Sequence, residues 1–195
     1  LFCGAGGFAE GAKQAGFRHL WGTDYDKDSC ESFEKNQQIP AYPIDIRKFT
    51  DTVHMKQVLR DHGKINGLMF GFPCNDFSLA NKQVDKKLIR RFGRLYKYGC
   101  VALNFFEPEF FVAENVTTIT KTFKSRKEQL FEDNKKQLAN DNYKNFKKIM
   151  MDLSSCSKHG YNIFADNYNF EEYGVPQRRH RMILVGFRND FYKKN

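Results

Sequence analysis

At 195 residues, 41% of them hydrophobic, the chain is long enough for one domain with a sizeable core. It holds no run near the roughly 20 apolar residues of a membrane span, and no signal-peptide pattern at Leu1. Cys3, Cys30, Cys74, Cys100 and Cys156 form no CxxC pair and the histidines are scattered, which argues against a disulfide framework or a metal site and for a reducing compartment. The formal charge of +9 is unevenly spread. Residues 75–99 (seven Lys/Arg, two Asp), 117–148 (nine Lys/Arg, four acids) and 176–195 (six Lys/Arg, one Asp) each carry +5, so the remainder carries −6. Basic segments on a mildly acidic framework point to a polyanion-facing side, the alternative being solvated Lys-rich loops.

Leu1 to Phe8 reads as a strand end passing into a glycine-rich turn, followed by a helix through Glu10 to Ala15 that stops at Gly16. Glycines there let a ligand approach backbone amides near a helix N-terminus. Arg18 to Thr23 is expected as a strand closed by Asp24, an acid placed where nucleotide-type folds hold a ribose hydroxyl. Asp26 caps a helix to Asn36. Tyr42 to Ile46 reads as a third strand, with Asp45 near its carboxyl end. For Asp24 and Asp45 helix capping or loop solvation is the competing role. A helix is expected over Thr50 to Arg60, with Val53, Gln57 and Leu59 on its turns, and a fourth strand over Ile65 to Phe70.

That strand leads into Gly71-Phe72-Pro73-Cys74. A cysteine presented at a strand end by Gly and Pro faces the crevice where open parallel sheets bind ligands, and its thiolate is a nucleophile if a base or positive charge favours it. The competing reading is an inert buried thiol. Residues 75–94 read as a mobile polar loop too long for a mere connector. Leu95, Tyr98, Ala102, Phe105 and Phe106 recur at helical spacing, and Pro108 ends that helix. Phe110 to Ala113 reads as a buried strand followed by Glu114-Asn115-Val116, whose carboxylate points into the same crevice as Cys74. Residues 117–142 read as a surface helix or a partly disordered insertion, and Phe146, Ile149, Met150 and Leu153 mark a core-facing helix. Tyr161 to Asn169 and Arg181 to Phe187 read as two antiparallel strands. The alternation defines an α/β class: a Rossmann-like, mostly parallel sheet with a C-terminal antiparallel strand.

In these motifs the chain resembles the DNA cytosine-5 methyltransferases over essentially its whole length. Phe2-Cys3-Gly4-Ala5-Gly6-Gly7 is similar to the family's cofactor motif, Gly71-Phe72-Pro73-Cys74 with Phe77-Ser78 to its Pro-Cys motif, Glu114-Asn115-Val116 to its Glu-Asn-Val motif, and Gln177, Arg179 and Arg181 to its Gln-x-Arg-x-Arg motif. The family places Gln after the cysteine; here it is Asn75.

The resemblance implies the S-adenosylmethionine-dependent methyltransferase fold, S-adenosylmethionine as cofactor and double-stranded DNA as partner. It implies Cys74 as the nucleophile that adds to carbon 6 of a flipped-out cytosine, Glu114 at nitrogen 3, and Arg181 with Arg179 at the base oxygen. It implies that the cofactor lies across Phe2 to Gly7 and near Phe72 and Pro73, with Asp24 on its ribose, Tyr25 stacked on the adenine, and Asp45 and Ile46 at the adenine edge. It implies a target-recognition region that this chain lacks, so the chain reads as a catalytic core, a trimmed fragment or one half of a split enzyme. A prokaryotic or phage-encoded cytoplasmic enzyme is expected. Three rivals stand beside it: a non-catalytic DNA-binding subunit, the tRNA-methylating branch of the family, and an NAD-binding Rossmann enzyme, the last disfavoured because the first motif lacks GxGxxG spacing.

Overall fold

The structure, a computed structural model, describes residues 1–73, 95–117 and 141–192. Most of the expected elements are present with shifted ends, but residues 1–3, expected as a strand end, are not a strand. In order they are α1 (Gly7–Gln14), β1 (Gly22–Asp24), α2 (Lys27–Gln37), β2 (Ala41–Pro43), α3 (Ile46–Phe49), α4 (Thr52–His62), β3 (Gly67–Gly71), α5 (Tyr96–Phe106), β4 (Phe110–Val116), α6 (Asp141–Ser154), β5 (Tyr161–Asn169), a 3₁₀ turn (Phe170–Tyr173), β6 (His180–Arg188) and α7 (Asn189–Tyr192).

The strands lie in two sheets, a parallel pair β1-β2 and a four-stranded sheet in the order β3-β4-β6-β5. Residues 1–3 run between them. The Leu1 nitrogen donates to the Met69 carbonyl at 2.7 Å, and the Cys3 amide donates to the Thr23 carbonyl at 3.0 Å. The chain start thus connects β1 to β3, giving one open layer with the glycine-rich turn at its centre. β3 pairs parallel with β4, while β6 runs antiparallel to both β4 and β5. This reversal brings the amino end of β6 to the edge where β3 and β4 have their carboxyl ends.

Side chains alternate across β4, so Phe111, Ala113 and Asn115 are buried while Glu114 lies on the other face. The buried face packs with Phe70, Leu103, Ile149, Leu153 and Leu184 in one core, to which α5 and α6 contribute. Each fully buried Leu or Phe contributes roughly 1.5–3 kcal/mol. The Phe111 ring occupies the space that a Cβ on Gly186 would need. Ala9, Cys30, Phe33 and Ala41 form a second cluster beneath β1 and β2.

Several expectations change in detail. Asp26 caps α2, its carboxylate accepting from the Ser29 amide at 3.1 Å. The third strand stops at Pro43, because Asp45 caps α3 and Ile46 starts that helix. In α4 the buried stripe is Met55 and Val58, while Val53 is exposed; the capping residue is Asp51. α5 buries Tyr96, Gly99, Ala102, Leu103 and Phe106, whereas Leu95, Tyr98 and Phe105 are only half-buried. Glu114, expected after its strand, is part of β4. The polar segments expected at 75–94 and 117–142 fall almost wholly outside the described residues.

Candidate active site

The carboxyl edge collects the candidate residues from six separate places in the chain. At the centre is the turn after residues 1–3. Gly4 (φ 51°) and Gly6 (φ 97°) are left-handed, which glycine adopts without penalty. A Cβ on Gly6 would also meet the Gln37 side chain at 3.1 Å. Phe2 is left-handed too (φ 56°), a strained state for a bulky residue that concentrates at functional sites. α2 supports the turn from below: the Asn36 amide donates to the Ala5 carbonyl at 2.9 Å. No side chain caps the start of α1, and Gly4 and Gly7 face open space. Burial pushes the Cys3 thiol up to about 12, so it stays protonated and unreactive at neutral pH.

Asp24 ends β1. Its Oδ2 accepts from the Gly4 amide at 3.0 Å and its Oδ1 from the Asp26 amide at 3.2 Å. It therefore shapes the turn while keeping acceptor capacity on both oxygens, since a carboxylate accepts about four hydrogen bonds. Beside it Tyr25 is 79% exposed, an uncovered ring. Asp45 follows β2 and is more committed than the sequence indicates. Its Oδ1 accepts from the Arg47 amide at 2.9 Å and Nε at 2.8 Å, and its Oδ2 pairs with the rest of the guanidinium. That pairing holds its carboxyl down at about 2. Ile46 points its side chain into the core, so only its backbone is available to a ligand.

The second half of the edge is formed by β3, β4 and β6. Gly71 stands opposite Glu114, and Glu114 opposite Ile183. The Glu114 carboxylate is 22% exposed, and Oε1 lies 2.6 Å from Arg181 Nε and 3.5 Å from an Arg179 terminal nitrogen. Oε1 is shielded from solvent, yet neither guanidinium N–H is aligned on it as a hydrogen bond. The contact is a charge pair that leaves the oxygen's lone pairs unused. Arg179 and His180 are held in turn by Glu171, which accepts from the Arg179 amide at 3.3 Å and contacts the His180 ring at 3.0 Å. Phe72 and Pro73 follow β3, with Phe72 buried against Phe70 and Tyr96. Cys74 lies outside the described residues.

Of the candidate residues, the structure thus brings Glu114, Arg179 and Arg181 together beside Phe72-Pro73, and gathers Phe2 to Gly7, Asp24 and Tyr25 around one turn. Sequence reasoning missed Gly71, Asn115, Asn36 and Glu171. Gly71 and Asn115 were visible within recognised motifs; nothing local marks Asn36 or Glu171. A cavity of about 340 Å³ runs from the underside of the turn, at Phe2 and Cys3, to the amino ends of β1 and β3, where Trp21, His62, Lys64 and Phe110 line it. It holds no converging carboxylate and arginines, and open sheets bind ligands at the carboxyl edge, so the chemistry belongs at the Glu114 end. Among the described residues, no cluster of His, Cys, Asp or Glu is arranged to hold a metal ion, and no helix is long and apolar enough to cross a membrane.

An open α/β sheet with a glycine-rich turn at its centre is an architecture shared with the Rossmann-like methyltransferases. The family model for the C-5 cytosine-specific DNA methylase matches residues 1–195, and the chain belongs to that family. It is 38% identical to the Type II methyltransferase M.BbvI of Brevibacillus brevis, covering 97% of this chain and 48% of that protein. It is 36% identical to M.NgoFVII of Neisseria gonorrhoeae, covering 97% of this chain and 43% of that one. The chain therefore spans about half the length of these relatives. The fold is that of a prophage-encoded E. coli protein assigned as a DNA modification methyltransferase (TM-score 0.70, 21% identity, 98% of this chain and 46% of that one). It is likewise that of the S. pombe Dnmt2 methyltransferase (TM-score 0.61, 13% identity, 96% of this chain and 48% of that one).

Proposed function

We propose that this chain is the catalytic part of an enzyme that transfers a methyl group from S-adenosylmethionine to carbon 5 of a cytosine in DNA, through a covalent adduct with Cys74. The observation that supports this most is the approach of Glu114, Arg181 and Arg179 at the end of β4, next to the strand end that leads into Cys74. Membership of the DNA methylase family supports DNA over tRNA as substrate.

Carbon 5 of cytosine is too weak a nucleophile alone. The Cys74 thiolate adds to carbon 6, and the ring becomes an enamine with a nucleophilic carbon 5. Glu114 hydrogen-bonds or protonates nitrogen 3 and so stabilises the electrons pushed into the ring. Arg181 directs its charge at the base oxygen and at Glu114, with Arg179 behind it. Loss of the carbon-5 proton then expels Cys74 and restores the aromatic ring. The cofactor supplies the electrophilic methyl group. The glycine-rich turn, uncovered at Gly4 and Gly7, the spare acceptors of Asp24 and the bare ring of Tyr25 suit its polar tail, ribose and adenine. The target atoms are stacked in a duplex, so the base is flipped out at a cost of a few kcal/mol. Lys82, Lys86, Lys87, Arg90, Arg91 and Arg94, outside the described residues, are suited to phosphate contacts that give affinity without sequence choice. A target-recognition region, fused or on a second subunit, supplies the choice of site.

The test is methyl transfer from labelled cofactor by the complete enzyme. Cys74→Ser should abolish it with DNA binding retained, and Glu114→Gln should slow single-turnover chemistry far more than it weakens DNA binding. Near-normal turnover by Cys74→Ser contradicts the proposal.

A further inference from the structure

Apart from the Glu114–arginine set, two thiols meet where α5 runs beside α6. Tyr96, at the start of α5, donates its hydroxyl to the Asp152 carboxylate of α6 at 2.6 Å. Cys100 and Cys156 each follow four residues later, about one helical turn along. Two helical segments running side by side in one direction meet again after a turn, and here they do so through sulfur. The Cys100 thiol donates to the Cys156 sulfur, and Cys156 donates to the Asp152 carbonyl at 3.1 Å. Both border the main core, Cys156 at 7% exposure and Cys100 half-buried, and both are free thiols.

The two sulfurs are not alike. The hydrogen bond from Cys100 draws the Cys156 thiol below the ordinary thiol range, because the Cys156 thiolate keeps that donor. The same bond, together with burial, pushes Cys100 up. Cys156 is therefore the member that ionises, and a thiolate beside a second thiol is the arrangement that oxidants convert to a disulfide. Cys3 and Cys30 are also hydrogen-bonded to each other, but burial raises both, so neither offers a thiolate.

We propose that Cys100 and Cys156 form a reversible oxidation site for hydrogen peroxide, in which Cys156 reacts first and Cys100 resolves it into a disulfide joining α5 to the end of α6. The Cys156 thiolate attacks one peroxide oxygen and the O–O bond breaks. The sulfur keeps a hydroxyl as sulfenic acid, and the departing hydroxide takes up a proton as water. The Cys100 sulfur then attacks the Cys156 sulfur. The S–O bond breaks, and the hydroxyl leaves with the Cys100 proton as a second water. Two thiols and one peroxide thus give one disulfide and two waters. So small an oxidant suits a sulfur as little exposed as that of Cys156. Exchange with an added dithiol reverses the change.

In the experiment the complete protein is treated with hydrogen peroxide, quenched with catalase, alkylated under denaturing conditions and digested without reduction. Mass spectrometry then reads each cysteine separately. The peptides carrying Cys100 and Cys156 should be the first to become joined, with loss of those two alkylatable thiols, and dithiothreitol should restore both. Cys100→Ser should lose the disulfide and leave on Cys156 a sulfenic acid that dimedone captures. Cys156→Ser should leave Cys100 reduced under the same treatment. Full alkylation of Cys100 and Cys156 at every dose up to one that oxidises Cys3 and Cys30 overturns the proposal. A Cys3–Cys30 disulfide that forms first, or dimedone capture at Cys100 in place of Cys156, overturns it as well. Where a serine variant fails to fold, the order of joining in the unaltered protein decides alone.

Discussion

Gly71 and Glu114 face each other across the parallel β3–β4 ladder, and a Cβ on Gly71 would stand 3.3 Å from Glu114 Oε2. The missing side chain is what gives the carboxylate its place. Alanine at 71 forces a shift of a few tenths of an ångström, and a branched residue forces more. Gly71→Val should therefore lower the single-turnover rate by more than about tenfold through a displaced Glu114, and Gly71→Ala by less. Measured rates for the two variants check this. Equal, wild-type rates for both would mean that Glu114 does not depend on this space.

The two arginines are not equivalent. Arg181 lies 2.6 Å from Glu114 and its side chain is 21% exposed, while Arg179 lies at 3.5 Å and is 41% exposed. Water screens the second contact more, and exposed pairs contribute little. Arg181→Ala should slow chemistry by about 100- to 1,000-fold, the usual cost of removing one preorganised donor. Arg179→Ala should cost less than about tenfold in the same assay. The reverse ranking would assign the base oxygen to Arg179.

Asp45 gives a prediction in pH. Hydrogen bonding and charge from Arg47 lower its folded value to about 2, against an ordinary value of 3.8. A depressed carboxylate stabilises the fold above its unfolded value, and that contribution is lost as the pH falls through the folded value. The Asp45–Arg47 contact should thus persist from neutral pH down to about 4 and disappear towards 2. An NMR titration of the Asp45 carboxyl should give a midpoint clearly below 3.8, and Arg47→Ala should restore that ordinary value. A midpoint of 3.8 in the unaltered protein contradicts the geometry.

How much of this was legible in the sequence depended on range. The strand and helix order, the Asp26 cap and the antiparallel pair Tyr161–Asn169 with His180–Arg188 all follow from local pattern and turn chemistry. The convergence of Glu114 with Arg179 and Arg181 was accessible only through motif resemblance, because periodicity does not reveal that β6 inserts beside β4. Asp45 shows the limit of position alone. Its place after a strand is compatible with a ligand contact and with a helix cap, and Arg47, two residues on, makes it at least the second. Val53 and Met55 show the same limit: both are apolar, and only the packing of α4 against the core decides that Met55 and Val58 face inward while Val53 faces out. Asn115 and Gly71 act through contacts 43 residues apart in the chain, which no local pattern encodes.

The central claim is the covalent step at Cys74. The complete protein, incubated with S-adenosylmethionine and duplex DNA carrying 5-fluorocytosine in place of cytosine, should stop after methyl transfer, because fluorine at carbon 5 cannot leave as a proton. Peptide mass spectrometry should then find one DNA-linked peptide, joined through Cys74, with the methyl group on the base. Methylation with no trapped adduct, or an adduct through Cys3, Cys30, Cys100 or Cys156, would contradict the account.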